Sequence, residues 1–222
     1  ALILVLSMTA CSSTNEQPGA TEPGESTETT EPEESTEATG SSESGSVETV
    51  VPGKFTVGFD QNFPPMGFVG DDGEFTGFDL ELAAEVADRL GLELALQPIA
   101  WDAKDMELST KNIDCIWNGF TINGREDKYT WTEPYMSNNQ VFVVRADSGI
   151  TSLADLAGKT VIVQVDSSAE AALADRPDLV DTFGEYLTAA DYNSALMDRE
   201  AGAVDAVAMD DTVANYQIEK RG

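Results

Sequence analysis

Three residues in one short loop have the chemistry needed to bind a carboxylate. Gly119 and Thr121 follow an apolar run that ends at Trp117, and Arg125 follows an Asn-Gly turn four residues after the threonine. Glycine lets the backbone approach a ligand closely, and threonine offers a hydroxyl and an N–H as donors. Arginine can hold a carboxylate through two parallel hydrogen bonds. The loop predicts a site for a small carboxylate, although an arginine taken alone is more often a solvated surface charge.

The elements around this loop alternate between strands and helices. The predicted order is strand 54–58, helix 80–90 with Asp79 as its N-cap and Gly91 at its end, strand 92–96, helix 101–110 and buried strand 114–117. Such an order favours a mostly parallel sheet with helices on both faces, and ligands bind such sheets beyond the carboxyl ends of the strands. The segment 60–66, Trp101 and the loop 118–125 each follow a strand. We therefore expect them to meet at one crevice.

A second α/β pattern begins after the apolar strand 141–145. It comprises strand 160–164, a helix opened by Ser167 and Glu170 as a capping box, helix 190–201 with Leu196 and Met197 on its apolar side, strand 203–209 and helix 212–220. Two similar α/β units joined by an extended strand predict two Rossmann-like lobes with a hinge and an interlobe cleft. The predicted boundaries are 51–145 for lobe 1 and 146–222 for lobe 2.

Composition excludes several classes of function. The formal net charge of −29 is unsuited to a nucleic-acid surface, because phosphate binding needs clustered Lys and Arg. The chain has no His, so it has neither a His general base for a Ser or Cys nucleophile nor the usual ligands of zinc. The segment 71–73 lacks EF-hand spacing and predicts a turn, while calcium held by carboxylates alone stays open. Cys115 lies inside the apolar strand and is predicted to be a buried, inert thiol. No cofactor is predicted.

The first fifty residues carry a different kind of pattern. Residues 1–11 resemble the end of a lipoprotein secretion signal: an apolar run too short to span a bilayer, then small residues before Cys11, the cysteine that would be lipidated. Residues 12–50 are rich in Ser, Thr and Glu and predict a disordered linker with a reach of about 35 Å. The chain begins without Met and stops just after a helical pattern, so we expect a fragment of a longer product.

From Phe55 onward the chain resembles the amino-acid substrate-binding proteins of ABC importers. This is solute-binding family 3, whose two lobes of the type II periplasmic-binding fold close on a ligand. The matching segments are Gly58-Phe59-Asp60, Phe63-Pro64-Pro65, Gly77-Phe78-Asp79-Leu80, Trp101-Asp102, Asn118-Gly119-Phe120-Thr121 with Arg125, Pro134-Tyr135, and 205–210. With Cys11 and the linker, the whole resembles a surface lipoprotein of this family. The family's return segment from lobe 2 to lobe 1 is expected to be missing.

The resemblance implies how the carboxylate of a bound amino acid would be held. It would lie on Arg125, on the hydroxyl and N–H of Thr121, and on the N–H of Ser168. The helix opening at Ser167 would add the positive end of its dipole.

The resemblance also implies the partners of the remaining ligand groups. The α-ammonium would meet Asp210 from lobe 2, the Gly119 carbonyl and Asp60. Phe63 and Trp101 would enclose the ligand side chain between their rings. A zwitterion needs one cationic clamp and one carboxylate on facing walls, and the residue types present agree with that need.

Selectivity for the ligand side chain would be set by Asn118 and Gln164. Two departures from the family pattern affect the pocket. The loop from Thr121 to Arg125 is one residue shorter than in many relatives, so the arginine would approach from a different angle. Asp166 stands where glycine is common, and its charge would oppose carboxylate binding unless it points away or meets a cation.

The expected function is binding of a polar or charged amino acid outside the cytoplasm and its delivery to an ABC permease, without catalysis. The partners would be a free amino acid and permease subunits, with a lipid anchor at the extracellular face, periplasmic in a Gram-negative host. The protein is expected to be a monomer that binds no nucleic acid. Two alternatives stay open: the ligand-sensing domain of a membrane receptor, and a cyclohexadienyl-dehydratase-like lyase on the same fold.

Overall fold

A short parallel sheet forms the centre of lobe 1. In this computed structural model, which describes residues 2–6 and 47–221, strand β2 (Lys54–Phe59) pairs with β6 (Glu93–Pro98) on one side and β7 (Cys115–Ile116) on the other. A three-stranded antiparallel sheet lies beside it, formed by β3 (Asn62–Phe63), β4 (Gly67–Val69) and β5 (Phe75–Thr76). The parallel pairing places the ends of β2, β6 and β7 at one edge, as the sequence predicts.

Helix α1 (Phe78–Leu90) ends as predicted but begins differently. Gly91 closes it in the left-handed conformation, with φ 67°, which glycine adopts without steric cost. Its N-cap residue is Gly77 and not Asp79. The predicted cap is wrong because the Asp79 side chain turns inward, where it accepts hydrogen bonds from the Gly119 N–H and, at 2.7 Å, from the Tyr135 hydroxyl.

The predicted helix after Trp101 is a 3₁₀ turn, Trp101–Ala103, followed by α2 (Lys104–Ser109). This element carries Trp101 and Lys104 to the cleft side of lobe 1. Both side chains are buried, and their spacing of three residues puts them on the same helix face.

The sheet of lobe 2 has five strands. Its order runs from β1 (Leu2–Leu6) through β8 (Gln140–Val144), β11 (Ala206–Asp210) and β9 (Thr160–Gln164) to β10 (Glu185–Ala189). Strands β9, β10 and β11 are parallel, and β8 runs antiparallel to β11. Strand β8 therefore belongs to the sheet of lobe 2, although the predicted boundary placed it in lobe 1. Four of its five side chains are buried in that sheet's core, which explains the correction.

Four helices cover this second sheet: α3 (Ser168–Ala174), α4 (Pro177–Val180), α5 (Tyr192–Glu200) and α6 (Asp211–Arg221). Leu196 in α5 is buried as predicted, whereas Met197 is 61% exposed, because one residue of helix turns the next side chain away from the sheet. The predicted interior place of Met197 is wrong.

The two lobes share part of their apolar core. Phe63 and Met66 from lobe 1 join the cluster formed on one face of the lobe 2 sheet by Val141, Met209 and Tyr192 among others. Of the predicted N-terminal regions, residues 7–46 lie outside the described residues, including Cys11 and most of the linker. Leu2–Leu6 pair with β8, which leaves the prediction of a secretion signal untested.

Candidate ligand-binding site

A cavity of about 490 Å³ lies between the lobes. Four of the predicted ligand-binding residues line it: Phe63, Gly119, Thr121 and Asp210. The cavity wall is completed by Met66, which follows β3, and by side chains from the loop 120–138 and from α6, among them Phe120, Trp131, Tyr135, Met136, Asn138 and Val213. Both lobes contribute to this cavity, whereas Trp101 and Arg125, which were predicted to meet at the same crevice, do not line it.

Arg125 is buried, and it lines a second cavity of about 500 Å³, with Asp166 and Ser167, rather than the 490 Å³ cavity. One of its terminal nitrogens, Nη1, donates to the Thr121 carbonyl at 3.3 Å and to the Ser168 hydroxyl at 2.9 Å. The other, Nη2, donates to the main-chain carbonyl of Asp166 at 3.1 Å, and the guanidinium lies 5.1 Å from the centre of the Phe120 ring. The guanidinium is thereby fixed in position, with three of its five N–H groups directed at protein acceptors and two left for a ligand.

The loop before Arg125 needs its glycine. Gly119 has φ 57°, a left-handed conformation, and a Cβ built there would lie 3.4 Å from Phe63 and from Met66. Its N–H donates to the Asp79 carboxylate, whose burial raises its pKa to about 6. The predicted contact of the Gly119 carbonyl with a ligand stays a prediction.

Ser167 and Ser168 lie at the start of α3, opposite Arg125. Ser167 is the N-cap, with its side chain accepting from the Glu170 N–H at 3.1 Å. The predicted capping box is shifted by one residue, because the Glu170 carboxylate accepts from the N–H of Asp166 and not from that of Ser167. The Ser168 hydroxyl is the acceptor for Arg125.

Asp210 forms the acceptor side of the cavity. It ends β11, is buried, and accepts hydrogen bonds from Asn138 and, at 2.8 Å, from the Gln140 side chain. Burial raises its pKa above the ordinary range. The amide oxygens Asn138 Oδ1 and Gln140 Oε1 are buried beside it without a hydrogen-bond partner among the described residues. Of these three residues, Asp210 and Asn138 line the cavity and Gln140 does not, so the first two are the side chains that a ligand ammonium in the cavity could reach.

Thr121 links the two sides of the site. Its carbonyl accepts from Arg125, and its hydroxyl accepts at 3.1 Å from the Asn138 amide that also binds Asp210. Sequence reasoning did not find Asn138 or Gln140. They lie at the start of the strand that was assigned to lobe 1, and the pairing of Gln140 with Asp210 became visible only with the sheet.

Asp60, Asn118 and Gln164 are joined by hydrogen bonds to one another. The Gln164 amide of lobe 2 donates to Asp60 Oδ2 at 2.8 Å, which connects the lobes, and the Asp60 N–H donates to Asn118 Oδ1 at 3.0 Å. Burial raises the pKa of Asp60. None of the three lines the 490 Å³ cavity. Their predicted contacts with a ligand stay predictions.

The two predicted aromatic partners lie apart. Phe63 packs on Tyr192 with ring centres 5.8 Å apart, and Trp101 packs edge-on against Phe120 at 5.1 Å. In the described part of the chain no ring contact joins Phe63 to Trp101, and only Phe63 lines the cavity. The structure therefore does not bring the predicted pair together around one space.

Lys104 is a residue that the sequence reasoning missed. It is 1% exposed, and its ammonium binds the carboxylate of Asp166 in the other lobe. The signal was present, because Lys104 lies three residues after Trp101 and four before Leu108, on the apolar face of the predicted helix. The Asp166 charge was expected to oppose carboxylate binding unless it met a cation, and the contact with Lys104 of lobe 1 supplies that cation.

Cys115 is the one free thiol in the described residues, and it is partly exposed. Burial of its sulfur raises the pKa to about 12, so the thiol stays protonated and unreactive at neutral pH. Groups of His, Cys, Asp and Glu that could hold a metal ion were not found in the part of the chain that the structure describes.

Comparison with known proteins shows the family of this chain. The model of the family described as bacterial extracellular solute-binding proteins, family 3, matches residues 55–217. The L-cystine-binding protein TcyJ of Escherichia coli K12 is 34% identical over 171 residues, which cover 76% of this chain and 63% of TcyJ.

Two solved structures share the fold. An ABC uptake transporter substrate-binding protein from Streptococcus pneumoniae, with bound histidine, is 38% identical with a TM-score of 0.73, over 76% of this chain and 70% of that one. The ancestral amino acid-binding protein AncCDT-1, described as a precursor of cyclohexadienyl dehydratase, is 29% identical with a TM-score of 0.70, over 76% of this chain and 75% of that one.

The family match covers the whole α/β part of the chain, from the first strand of lobe 1 to the last helix of lobe 2. The chain spans 63% of the length of TcyJ. It belongs to the bacterial extracellular solute-binding proteins of family 3.

Proposed function

We propose that the chain binds a polar or charged amino acid between its lobes and delivers it to the permease of an ABC importer. The observation that carries this proposal is the position of Thr121 between two opposite charges. Its carbonyl contacts Arg125, and its hydroxyl contacts the Asn138 amide that binds Asp210. Arg125 would bind the α-carboxylate of an amino acid, and Asp210 would bind its α-ammonium. Thr121 lies between them, so the two charges are close enough to serve one ligand.

The two walls give a physical reason for closure. Arg125 belongs to lobe 1 and Asp210 to lobe 2, so a ligand that touches both stabilises the closed form more than the open form. That difference in affinity adds to whatever closure the ligand-free protein already has, and the closed form is the state that would dock on a permease. The relatives support an amino acid as the ligand class, since one is named for cystine and another was solved with histidine.

We propose binding without chemistry. The sequence has no His, and the buried carboxylates of the cleft are held by amide donors rather than placed beside a nucleophile. The likeness to a precursor of cyclohexadienyl dehydratase makes a lyase the second candidate. A sensor domain that passes ligand occupancy to a membrane receptor would use the same cleft, and its ligand binding would be identical.

A thermal-shift screen tests the proposed ligand class. The protein is mixed with each of the twenty amino acids and with L-cystine. A ligand at a hundred times its dissociation constant adds about 2.7 kcal/mol to stability, which raises Tm by several degrees. We expect this rise with one chemical group of amino acids. Absence of a shift with every amino acid, together with turnover of a cyclohexadienyl acid, would replace binding by the lyase.

We also propose a lipid anchor at Cys11, on the extracellular side of the membrane. The support is the sequence alone: an apolar run and small residues before the cysteine, then a long Ser/Thr/Glu-rich segment. In the part of the chain that the structure describes, no helix is both long and apolar enough to cross a membrane.

Changing Cys11 to Ser tests the anchor. In cells that secrete the full protein with its signal, we expect the wild type in the membrane fraction and the Cys11→Ser variant in the soluble extracellular or periplasmic fraction. A Cys115→Ser variant is the matched control and is expected to stay with the membrane. Equal retention of the Cys11 variant would contradict lipidation at this residue.

A further inference from the structure

Asp166 of lobe 2 is held by three side chains of lobe 1. The Trp101 indole donates to its carbonyl at 3.2 Å, Arg125 donates to the same carbonyl at 3.1 Å, and Lys104 binds its carboxylate. We propose that the Lys104–Asp166 ion pair is a latch that holds the lobes together before a ligand arrives and positions Arg125 for the ligand carboxylate.

The ammonium of Lys104 has few alternatives to this pair. The side chain is 1% exposed, and its other hydrogen-bond acceptors are two carbonyls, those of Trp101 at 3.3 Å and Asp166 at 3.5 Å. Its ammonium also lies 5.0 Å from the Trp101 ring centre and 6.0 Å from that of Phe120. A buried charge without a charged partner is strongly unfavourable, so Lys104 depends on a carboxylate from the opposite lobe.

The backbone of Asp166 is turned to meet lobe 1. Its φ is 56°, a left-handed conformation that is uncommon for residues other than glycine but tolerated by Asp and Asn. The Glu170 carboxylate holds its N–H from behind. Both the carbonyl and the carboxylate thereby face lobe 1, and the same peptide that binds Lys104 supplies the acceptor for Arg125.

The pair is asymmetric in its exposure. The Asp166 side chain is 50% exposed, so it can be hydrated if Lys104 is lost, whereas Lys104 cannot be hydrated while the lobes stay closed. Removing the carboxylate is therefore more harmful to closure than removing the ammonium. Opening the cleft would be the way for an unpaired Lys104 to reach water.

Three variants separate the latch from an incidental contact. Asp166→Asn removes the charge but keeps the carbonyl and a residue type suited to the positive φ. Lys104→Met keeps the length of the buried side chain without its charge. The third variant combines both changes, which removes the pair without leaving a buried charge. It also keeps the test decisive if Asp166→Asn alone fails to fold.

The readout is the distance between two spin labels in the ligand-free protein. One label replaces the exposed Arg89 in lobe 1 and the other the exposed Asp178 in lobe 2, with Cys11 and Cys115 changed to Ser. We expect one main distance for the parent protein. Asp166→Asn should add a second population, raising the ratio of open to closed molecules at least tenfold, and Lys104→Met should raise it less.

The double variant gives the decisive comparison. We expect it to resemble Lys104→Met and to be more closed than Asp166→Asn, because it leaves no unpaired buried ammonium. Additive opening would overturn the ion pair as the cause, and an unchanged distance in all three variants would overturn the latch. Lys54→Met is the matched control, since Lys54 pairs with Glu93 at 2.9 Å on the surface of lobe 1 alone, and it should change nothing.

The effect on affinity rests on the proposed function. With L-cystine and L-histidine as probes, the dissociation constant of Asp166→Asn should rise by the factor by which its closed fraction falls. If the parent protein bound neither these probes nor any other amino acid, the proposed function would fail, while the ligand-free distances would still decide the latch. An unchanged affinity in a variant that opens would overturn the link between closure and binding.

Discussion

Replacing Arg125 by alanine is expected to abolish amino-acid binding. The guanidinium is the cation on the carboxylate side of the cleft, and hydrogen bonds between charged groups contribute about 1.5–3 kcal/mol each. Loss of a two-bond contact therefore weakens binding by a factor of about 100 or more. The measurement is titration calorimetry with the amino acid that gives the largest thermal shift.

Two further variants make the result specific. Arg125→Lys keeps the charge but loses the planar fork, and we expect it to recover only a small part of the affinity. Arg89→Ala removes a surface arginine that pairs with Glu85 at 2.7 Å and is expected to bind as the parent does. Binding by Arg125→Ala within a few-fold of the parent would show that the carboxylate lies elsewhere.

Part of any loss in Arg125→Ala would come from closure. Arg125 donates to Asp166 and Ser168 across the cleft, so its removal also weakens contacts between the lobes. The spin-label distances of the ligand-free variant separate the two effects. A variant that stays closed and fails to bind has lost the clamp itself.

The shared loop of Gly119, Thr121 and Arg125 could be predicted because its requirements are local. Gly119 is needed for one backbone conformation, and Thr121 and Arg125 follow within six residues on the same loop, so their types and spacing carry the information. The α/β class and most of the helices and strands could be predicted for the same reason, since hydrophobic period and glycine stops are properties of short segments.

What failed depends on contacts between distant segments. Asp79 has the residue type of an N-cap, but its side chain is buried and hydrogen-bonds Gly119, which lies 40 residues later in the sequence. This contact between distant segments, and not the start of the helix, determines where the side chain points. Strand β8 has the same apolar pattern in either lobe, and only its pairing with β11 decides which sheet it joins. Lys104 was overlooked because a lysine on an apolar helix face needs a partner that the helix itself does not show.

The surroundings of Asp210 include one residue that could be predicted from the sequence and two that could not. Asp210 could be predicted from its position at the end of a buried strand and from the resemblance. The amide groups of Asn138 and Gln140 could not, because both side chains become neighbours of Asp210 only through the antiparallel pairing of β8 and β11. The oxygens of both amides lack a hydrogen-bond partner among the described residues.

Replacing Asp210 by asparagine is expected to raise the stability of the ligand-free protein while it weakens binding. Burial raises the pKa of this carboxyl, which means that the folded protein holds its proton more tightly than the unfolded chain does. At neutral pH the ionised form is therefore a cost to folding, and asparagine removes that cost. Its carbonyl oxygen can continue to accept from the Asn138 and Gln140 amides. We expect Tm to rise by several degrees.

Binding should change in the opposite direction. The ligand ammonium loses its charged acceptor, so the dissociation constant should increase by a factor of about 10–100. Calorimetry measures the affinity, and thermal unfolding without ligand measures the stability. Asp178→Asn is the control: its carboxylate pairs with Arg176 at 3.0 Å on the surface, and the variant should match the parent closely in both measurements.

The stability difference between Asp210→Asn and the parent should depend on pH. Between the ordinary carboxyl pKa and the raised pKa of Asp210, the folded state binds more protons than the unfolded state, so this group makes stability fall as the pH rises. The Tm advantage of Asp210→Asn should therefore be absent in acid, where both side chains are neutral, and should grow as the pH rises through the raised pKa. A variant that is less stable than the parent at neutral pH would mean that the hydrogen bonds from Asn138, Gln140 and Tyr192 stabilise the ionised carboxyl by more than its burial costs. That outcome would contradict the raised pKa of Asp210, and with it the expected gain in stability.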